Sequence, residues 1–195
     1  MLPVVLLVPV AWLLGTFPSA QLAARFAGGR DVTREGSGNP GASNVGRLFG
    51  WKWGAAVLFA DFMKGAIAAG VGLWVDGRRG AFVLGLAAVI GHTIPLYRKG
   101  GKGVATAGGA LTVLYPWIAL VLAIVWFLVA RVLHKASLAS LLIAVAFPVA
   151  VAVTGHALWE DIVVAALALL IIVRHASNIR RLLRHEENDL DAGNR

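Results

Sequence analysis

Long hydrophobic runs, separated by short polar segments, make up most of the chain. A helix needs about 20 apolar residues to cross the ~30 Å hydrocarbon core of a bilayer. Runs of this order cover about 2–20, 53–75, 81–97, 117–133, 138–154 and 158–174. The pattern predicts an all-α integral membrane protein.

The interval between the third and fourth runs allows two interpretations. It reads GGKGVATAGGALTVLY, which is apolar but short and rich in small residues. Either 104–130 is one long span kinked at Pro116, or two spans are joined by a turn at Tyr115–Pro116. The first interpretation gives six spans and the second gives seven.

The distribution of Lys and Arg favours seven spans, because cations accumulate in cytoplasmic loops. With the N-terminus outside, seven spans place 15 of the 18 cations in the cytoplasmic segments 25–52, 91–103, 131–137 and 174–195. One kinked span instead leaves 8 inside and 9 outside. The prediction is a seven-transmembrane-helix bundle with the C-terminus in the cytoplasm and any active site at the cytoplasmic membrane boundary.

Composition supports one membrane-embedded domain over residues 1–195. The chain is 58% hydrophobic and 14% charged, whereas soluble domains are about 25% charged. The net charge of +8 is spread over loops, so no soluble basic face is available for nucleic acid. The absence of Cys excludes disulfides and thiolate chemistry. The start, MLPVVLLVPVAWLLG, lacks the positive region of a signal peptide and is interpreted as a retained first span.

The first cytoplasmic loop contains REGSGNPGASNVGR, a candidate anion-binding loop. Its glycines allow positive φ angles and close backbone approach, and Arg47 offers a fork for phosphate or carboxylate. Neutral hydrogen-bonding groups come from Ser37, Asn39, Ser43 and Asn44. The same residue types also make ordinary turns, so this loop alone fits either interpretation.

The second loop, HTIPLYRKGGKGVAT at 92–106, is more specific. Glycines let successive N–H groups converge on an anion at the start of the following helix, and Lys102 adds a full charge. A Walker A loop is excluded, because Gly103 follows Lys102 and Leu96 stands where the first motif glycine would be. A positive-inside anchor would explain the cations but not the glycines. His92 alone could also satisfy a backbone carbonyl.

The last run ends in RHASNIRRLLRHEEND. If the helix continues, His175, Asn178 and Leu182 share one face, flanked by Arg181. Arg180 and Arg184 are interpreted as surface charges that meet anionic lipid.

Two further features lie within the spans. Asp61 and Lys64 are three residues apart and are expected to pair, either for function or to position the helix. Ser137 and Ser140 begin the sixth span, where Ser137 is a candidate N-cap.

Three motifs together resemble the bacterial membrane glycerol-3-phosphate acyltransferases that use acyl-phosphate as donor. They are GSGNPGASNVGR at 36–47, GHTIP…KGGKGVAT at 91–106 and RHASNIRRLL at 174–183. SLAS at 137–140 and ADFMKG at 60–65 also match, so the resemblance covers essentially the whole chain. In that family the motif loops gather on the cytoplasmic side of a seven-span bundle.

The resemblance implies transfer of an acyl chain from acyl-phosphate to the sn-1 hydroxyl of glycerol 3-phosphate, giving lysophosphatidic acid and phosphate. The implied catalytic residues are Ser37, Lys102, His175 and Asn178. The implied substrate-binding residues are Gly36, Gly38, Asn39, Gly41, Asn44, Arg47, His92, Gly100, Gly101, Gly103, Thr106, Ser137, Ser140, Arg181 and Glu187.

The resemblance implies no metal, no cofactor and no nucleic acid. The expected partners are the two substrates, the lipids of the bacterial inner membrane, and the soluble enzyme that makes acyl-phosphate. No Ser-His-Asp pattern is found in the chain. The hypothesis is direct attack by the substrate hydroxyl, with a substrate phosphate accepting the proton and His175 as the reserve base. Loop N–H groups, Ser37 or Asn178 would meet the charge that develops on the acyl oxygen.

A competing class is a membrane anion or phosphate-ester transporter. It predicts polar residues across the bilayer midplane and internal repeats, but only Asp61 and Lys64 are expected at depth and no repeat is found. A passive membrane anchor would leave the glycine loops unexplained.

Overall fold

The computed structural model describes residues 2–96 and 98–190, and all regular secondary structure in these ranges is helical. The helices are α1 Leu2–Gly15, α2 Ser19–Ala27, α3 Ala42–Phe49, α4 Trp51–Thr93, α5 Val104–Leu114, α6 Pro116–Leu133, α7 Ala136–Val153, α8 Leu158–Arg174 and α9 Ala176–Leu183. The all-α prediction is confirmed. The chain forms two compact units, one holding the described residues up to Leu114 and the other Tyr115–Leu190. The single domain over 1–195 stays a prediction.

The first hydrophobic run is not one helix. α1 ends at Gly15 and α2 begins at Ser19, with a turn over Thr16, Phe17 and Pro18. Pro18 has no N–H to continue the helical ladder, and its ring disfavours a helical residue before it. The turn leaves the Phe17 carbonyl available to a side chain from another helix.

α4 is a helical hairpin rather than one straight helix. Asp76 (φ −145°, ψ 27°) and Gly77 (φ 62°, ψ −151°) leave the helical region and reverse the chain between the arms 51–75 and 78–93. A side chain at Gly72 would collide with the carbonyl of Gly80, so the arms touch through their backbones. The two predicted runs are recovered, except that the second arm ends at Thr93.

α5 packs on the first arm of α4 through the same kind of contact. A side chain at Gly65 would collide with the Thr106 carbonyl, and one at Gly109 with the Phe62 carbonyl. Arg78 Nη1 donates a 3.2 Å hydrogen bond to the Leu114 carbonyl at the end of α5. This bond satisfies one of the carbonyls that a helix end leaves without an intrahelical partner.

α1 packs against the second arm of α4. Side chains at Gly15 and Gly91 would collide with the carbonyls of Ala88 and Trp12, respectively. Buried apolar residues fill the remaining space, among them Val4, Ala11, Ala68, Leu84 and Ala88.

Tyr115 (φ −139°, ψ 64°) separates α5 from α6, which starts with Pro116 at its first turn. Proline is favoured at this position because its missing N–H has no helical partner there. Residues 104–130 therefore lie in two helices, and the choice between one kinked span and two spans stays a prediction.

Polar contacts in the second unit join residues that are distant in sequence. The buried Tyr115 hydroxyl donates a 2.5 Å hydrogen bond to Glu160 Oε2 at the start of α8. The backbone N–H of Leu190 donates to the His134 carbonyl at 2.6 Å, so the segment after α9 returns to the end of α6.

Two local predictions about this unit are wrong. α8 and α9 meet at 58°, because His175 (φ −93°, ψ 7°) leaves the helical region. One continuous helix through Asn178 and Leu182 therefore does not form. α7 begins at Ala136 after an extended Lys135, so Ser137 lies inside the first turn and makes no capping bond.

Four helical segments are long and apolar enough to cross a membrane, or five if the bent pair α8 and α9 forms one span; only the described residues contribute to this count. They are Pro3–Ala27, Trp51–Thr93, Pro116–Leu133 and Ala136–Val153. α5 has 11 residues. At 1.5 Å per residue it reaches about 16 Å, roughly half of the hydrocarbon core.

Candidate active site

Asn44 organises the loop between α2 and α3. Its side chain is 1% exposed. Its Oδ1 accepts a 2.9 Å hydrogen bond from the Ser37 N–H, and its Nδ2 donates to the carbonyls of Val32 at 3.0 Å and Glu35 at 3.1 Å. Both amide hydrogens are thus used within the loop. Asn44 fixes the backbone at Ser37, and its predicted contact with substrate stays a prediction.

Two glycines of this loop have conformations that favour glycine. Gly36 and Gly38 have φ angles of 59° and 63°. A side chain at Gly36 would also collide with Oδ1 of Asn44, and one at Gly38 would lie 3.3 Å from Lys99 Nζ. The loop therefore brings Gly38 close to the cationic end of the second predicted loop.

The acidic residues of the first loop are engaged within it. Asp31 accepts hydrogen bonds from the Thr33 hydroxyl at 2.7 Å and the Thr33 N–H at 2.9 Å, which hold the pKa of Asp31 below its usual value. Glu35 forms an ion pair with Arg30. At the end of the loop, Gly41 is the N-cap residue of α3 and donates its N–H to the Asn39 carbonyl at 2.9 Å.

The second loop folds back onto the end of α4. The Gly101 N–H donates to the His92 carbonyl at 3.1 Å. A side chain at Gly100 would collide with the Thr93 carbonyl, and one at Gly101 with the His92 ring. Gly103 has φ 86° and directly precedes α5. The predicted glycine loop at a helix start is therefore present.

A buried polar network lies beside this loop. Oδ1 of Asp61 accepts hydrogen bonds of 2.5 Å from Ser19 Oγ and 2.5 Å from Lys64 Nζ. Lys64 also donates to the Phe17 carbonyl at 2.7 Å, in the turn between α1 and α2. His92 Nδ1 lies 3.6 Å from the same Asp61 oxygen. The predicted pair of Asp61 and Lys64 is confirmed.

A pocket that is open to solvent lies between this network and the second loop. Its lining includes Lys64, His92, Arg98, Lys99, Gly100 and Gly101, together with Pro40 from the first loop and residues 15–19 and 21. None of the described lining residues is acidic. Cations and glycines around an open space suit an anion with several oxygens, such as phosphate.

Sequence reasoning identified only part of this cavity. Thr16 and Ser19 line it but lie within the predicted run 2–20, and Gln21 directly follows that run. The stretch TFPSAQ at 16–21 is a polar interruption that the hydropathy pattern did not separate. Of the predicted cationic residues, neither Arg47 nor Lys102 is among the described lining residues.

The second unit contains the predicted His175. Its side chain is 2% exposed, and its Nδ1 lies 2.8 Å from the Ile171 carbonyl. A carbonyl oxygen only accepts hydrogen bonds, so Nδ1 carries the proton in this contact. Nε2 is then the nitrogen that can accept a proton.

Asn178, Arg181 and Glu187 come together in this unit. The Asn178 amide donates to Glu187 Oε1 at 2.8 Å, and Arg181 Nε donates to Glu187 Oε2 at 3.0 Å. Lys135 Nζ donates to the Glu187 carbonyl and pairs with Asp189 at 2.7 Å. Glu187 is therefore a buried acceptor that orients two of the predicted residues.

The predicted hydroxyl residues differ in their contacts. Ser140 Oγ accepts from the Trp126 indole at 3.0 Å and donates to the Ala136 carbonyl at 2.8 Å. Thr106 Oγ1 and Ser137 Oγ are buried and have no hydrogen-bond partner within the described part of the chain. Buried hydroxyls normally have partners, so these two oxygens are the better candidates to meet a ligand.

Comparison with known proteins gives one consistent result. A model of the family described as glycerol-3-phosphate acyltransferase matches residues 5–185. Glycerol-3-phosphate acyltransferases of Staphylococcus aureus strains JH9 and Newman are each 34% identical over 199 residues, covering 94% of this chain and 96% of the relative.

Solved structures agree with the sequence comparisons. PlsY (YgiH), an integral membrane glycerol 3-phosphate acyltransferase, is similar in its glycerol 3-phosphate form, with a TM-score of 0.90 and 36% identity over 96% of this chain and 95% of that chain. Its lysophosphatidic acid form gives a TM-score of 0.86 at the same identity and coverage. An all-helical integral membrane protein is the class that the fold and the comparisons define. The chain belongs to the glycerol-3-phosphate acyltransferase family, as an integral membrane enzyme.

Proposed function

We propose that this enzyme transfers an acyl chain from acyl-phosphate to the sn-1 hydroxyl of glycerol 3-phosphate. The observation that carries the proposal is the cavity beside Gly100 and Gly101, which Lys64, Arg98 and Lys99 line and to which no described acidic residue contributes. Both substrates carry phosphate, and acyl-phosphate needs only a small pocket for its dianion. The similar PlsY structure has a glycerol 3-phosphate form, which supports the choice of acceptor.

The two loops supply separate roles in this proposal. Lys102 and neighbouring N–H groups of the second loop stabilise the donor phosphate, which becomes the leaving group. Arg47 holds the phosphate of the acceptor, and Asn44 supports that subsite by fixing the backbone at Ser37. Charge-assisted bonds of this kind are roughly twice as strong as neutral ones.

The chemical step is one acyl transfer. The acceptor hydroxyl oxygen attacks the acyl carbon, a C–O ester bond forms, and the bond between the acyl carbon and the phosphate oxygen breaks. The products are lysophosphatidic acid and phosphate. A substrate phosphate accepts the hydroxyl proton, because the mixed anhydride has a good leaving group and needs little activation of the nucleophile.

Four residues have proposed catalytic roles. Ser37 or Asn178 meets the charge on the acyl oxygen, and Lys102 meets the leaving phosphate. His175 is the reserve base through Nε2, since its Nδ1 proton is engaged by the Ile171 carbonyl. Thr106 and Ser137 offer buried hydroxyls to substrate oxygens.

The proposed setting is the bacterial inner membrane, with seven spans and the N-terminus outside. The hairpin form of α4 supports counting its arms as two spans. α5 counts as one short span and the bent pair α8 and α9 as the last. The whole chain then acts as a single domain with its loops at the cytoplasmic boundary, where the soluble enzyme that makes acyl-phosphate can reach it.

The experiment compares three donors side by side with purified protein. Acyl-phosphate should support turnover that depends on glycerol 3-phosphate, and acyl-CoA or acyl-carrier protein should support little or none. A thioester donor brings a large carrier, and the short loops offer no extended soluble surface to hold it. Robust turnover with acyl-CoA would contradict the proposed donor and leave the family membership intact.

A further inference from the structure

Asp61 is a buried carboxylate that the proposed chemistry does not use. It is 2% exposed and is not among the described residues that line the cavity. Three of its neighbours, Ser19, Lys64 and His92, do line the cavity. All three approach the same oxygen, Oδ1, at 2.5, 2.5 and 3.6 Å, respectively. Asp61 Oδ1 therefore lies next to three residues that line the cavity, although Asp61 itself does not line it.

The contacts of Asp61 reach three separate stretches of chain. Ser19 belongs to the start of α2, Lys64 to the first arm of α4, and His92 to the end of the second arm. Lys64 extends the network to the Phe17 carbonyl. Because polar side chains in a low-dielectric interior interact strongly, a buried network of this kind stabilises the arrangement of the elements that it joins.

His92 links this network to the glycine loop. Its carbonyl accepts the Gly101 N–H at 3.1 Å, and its ring occupies the space that a side chain at position 101 would need. A rotation of the ring would therefore press on Gly101 or leave a gap beside it. The conformation of the loop depends on how the His92 ring is held.

We propose that Asp61 is a positioning residue for acyl transfer: its carboxylate holds His92, and through His92 the loop at Gly100 and Gly101, in the conformation that binds the donor phosphate. The proposal rests on the proposed function for the identity of the donor. It assigns Asp61 no contact with substrate and no part in proton transfer.

Positioning and simple electrostatics predict opposite results for Asp61→Asn. The substitution keeps the shape but removes one negative charge near the cavity. If Lys64 stays charged the site becomes more positive, and if Lys64 loses its proton the net charge is unchanged. Neither case weakens the attraction for phosphate, so an electrostatic role predicts a KM for the donor that is lower or unchanged. Positioning predicts a higher one.

The test uses full-length protein in detergent, assayed with the donor that supports wild-type turnover. Wild-type turnover with acyl-phosphate tests the proposed function, and only the ratios between variants test Asp61. Asp61→Asn should raise the KM for the donor by about 10-fold, as expected for loss of a charge-assisted hydrogen bond. The KM for glycerol 3-phosphate should stay at the wild-type value.

A double-mutant cycle tests the route through His92. His92→Asn should raise the donor KM in the wild-type background and add little in the Asp61→Asn background, because residues that act as one unit are not additive. The matched control is Thr112→Val, which removes a 2.7 Å hydroxyl bond to the Gly108 carbonyl within α5 and should leave both KM values unchanged.

Three results would overturn the proposal: a donor KM that does not rise in Asp61→Asn, equal rises for both substrates, or full additivity with His92→Asn. If Asp61→Asn alone does not fold, Asp61→Asn with Lys64→Met removes the unpaired charge, and Ser19→Ala keeps both charges while removing one bond. The proposal requires Ser19→Ala to raise the donor KM selectively, by less than the loss of the carboxylate. Wild-type kinetics in Ser19→Ala would contradict it.

Discussion

The Asn178 amide donates a 2.8 Å hydrogen bond to Glu187, which lies nine residues later in the chain and also accepts from Arg181 at 3.0 Å. Asn178 and Glu187 are 2% and 6% exposed. The segment after α9 therefore turns back towards Asn178, a predicted catalytic residue. Its Glu187 binds the amide nitrogen of Asn178 and not the amide oxygen.

Glu187→Ala should lower turnover by at least ~10-fold, because it leaves buried donors of Asn178 and Arg181 without their acceptor. Glu186→Ala is the matched control, since this neighbour is exposed and its loss should leave turnover near the wild-type value. Steady-state assays of both variants, with size-exclusion profiles to check folding, provide the measurement. Equal activity in the two variants would contradict the role of Glu187.

Lys102→Ala and Arg47→Ala should each reduce activity by at least ~10-fold, because under the proposed function each removes a charge-assisted contact with a substrate phosphate. The control is Arg184→Ala, which removes an exposed cation from the C-terminal segment and should leave turnover nearly intact. Measuring kcat and KM for both substrates separates the roles. Equal losses in all three variants would mean that overall cytoplasmic charge matters rather than a defined site.

Gly65→Ala and Gly70→Ala form a matched pair on the first arm of α4. The added methyl group at Gly65 would collide with the Thr106 carbonyl, whereas the ideal Cβ position at Gly70 has no heavy atom within 4 Å. We expect Gly65→Ala to destabilise the fold by about 1–3 kcal/mol, as for other overpacked interiors. Gly70→Ala should be neutral or stabilising by up to ~1 kcal/mol through helix propensity. Thermal unfolding in detergent measures both, and similar Tm values would contradict the close contact.

The absence of native Cys allows the topology to be tested by labelling single cysteines. Cysteines at Ser43, Lys99 and Ala176 should react with an impermeant reagent only from the cytoplasmic side. One at Gly77, in the exposed turn of the α4 hairpin, should react from outside. Inverted and right-side-out vesicles supply the two conditions.

A cysteine at Trp159 gives the decisive labelling site, because the seven-span arrangement puts the start of α8 outside. Labelling of this position from the cytoplasm would exclude seven spans with the N-terminus outside.

Hydropathy predicted the helices whose ends coincide with ends of apolar runs. α6 and α8 begin and end within one residue of the predicted 117–133 and 158–174. Hydropathy averaged over a long window did not reveal the turn before Ser19, because a few polar residues barely change the mean hydropathy. The bend at His175 has no Gly or Pro to indicate it, so local sequence could not reveal it.

The glycines of the site were predictable, because glycine is the residue type that most readily adopts the conformations at Gly36 and Gly103. The partners of Asp61 were only half predictable. Lys64 is one helical turn away, whereas His92 is 31 residues later and comes close only because α4 folds into a hairpin. Contacts that depend on tertiary folding cannot be read from spacing along one helix.

The glycine contacts that join α1 and α5 to α4 also limit where a fatty chain can lie. At Gly15, Gly65, Gly91 and Gly109 there is not enough space for a single methyl group against the facing backbone. A polymethylene tail is at least as thick as a methyl group, so it cannot pass between the helices at these four glycine contacts. Discrimination between acyl chains of different length therefore has to arise on other surfaces of the enzyme. Larger residues at these four glycine positions should change the stability of the enzyme rather than its chain-length preference.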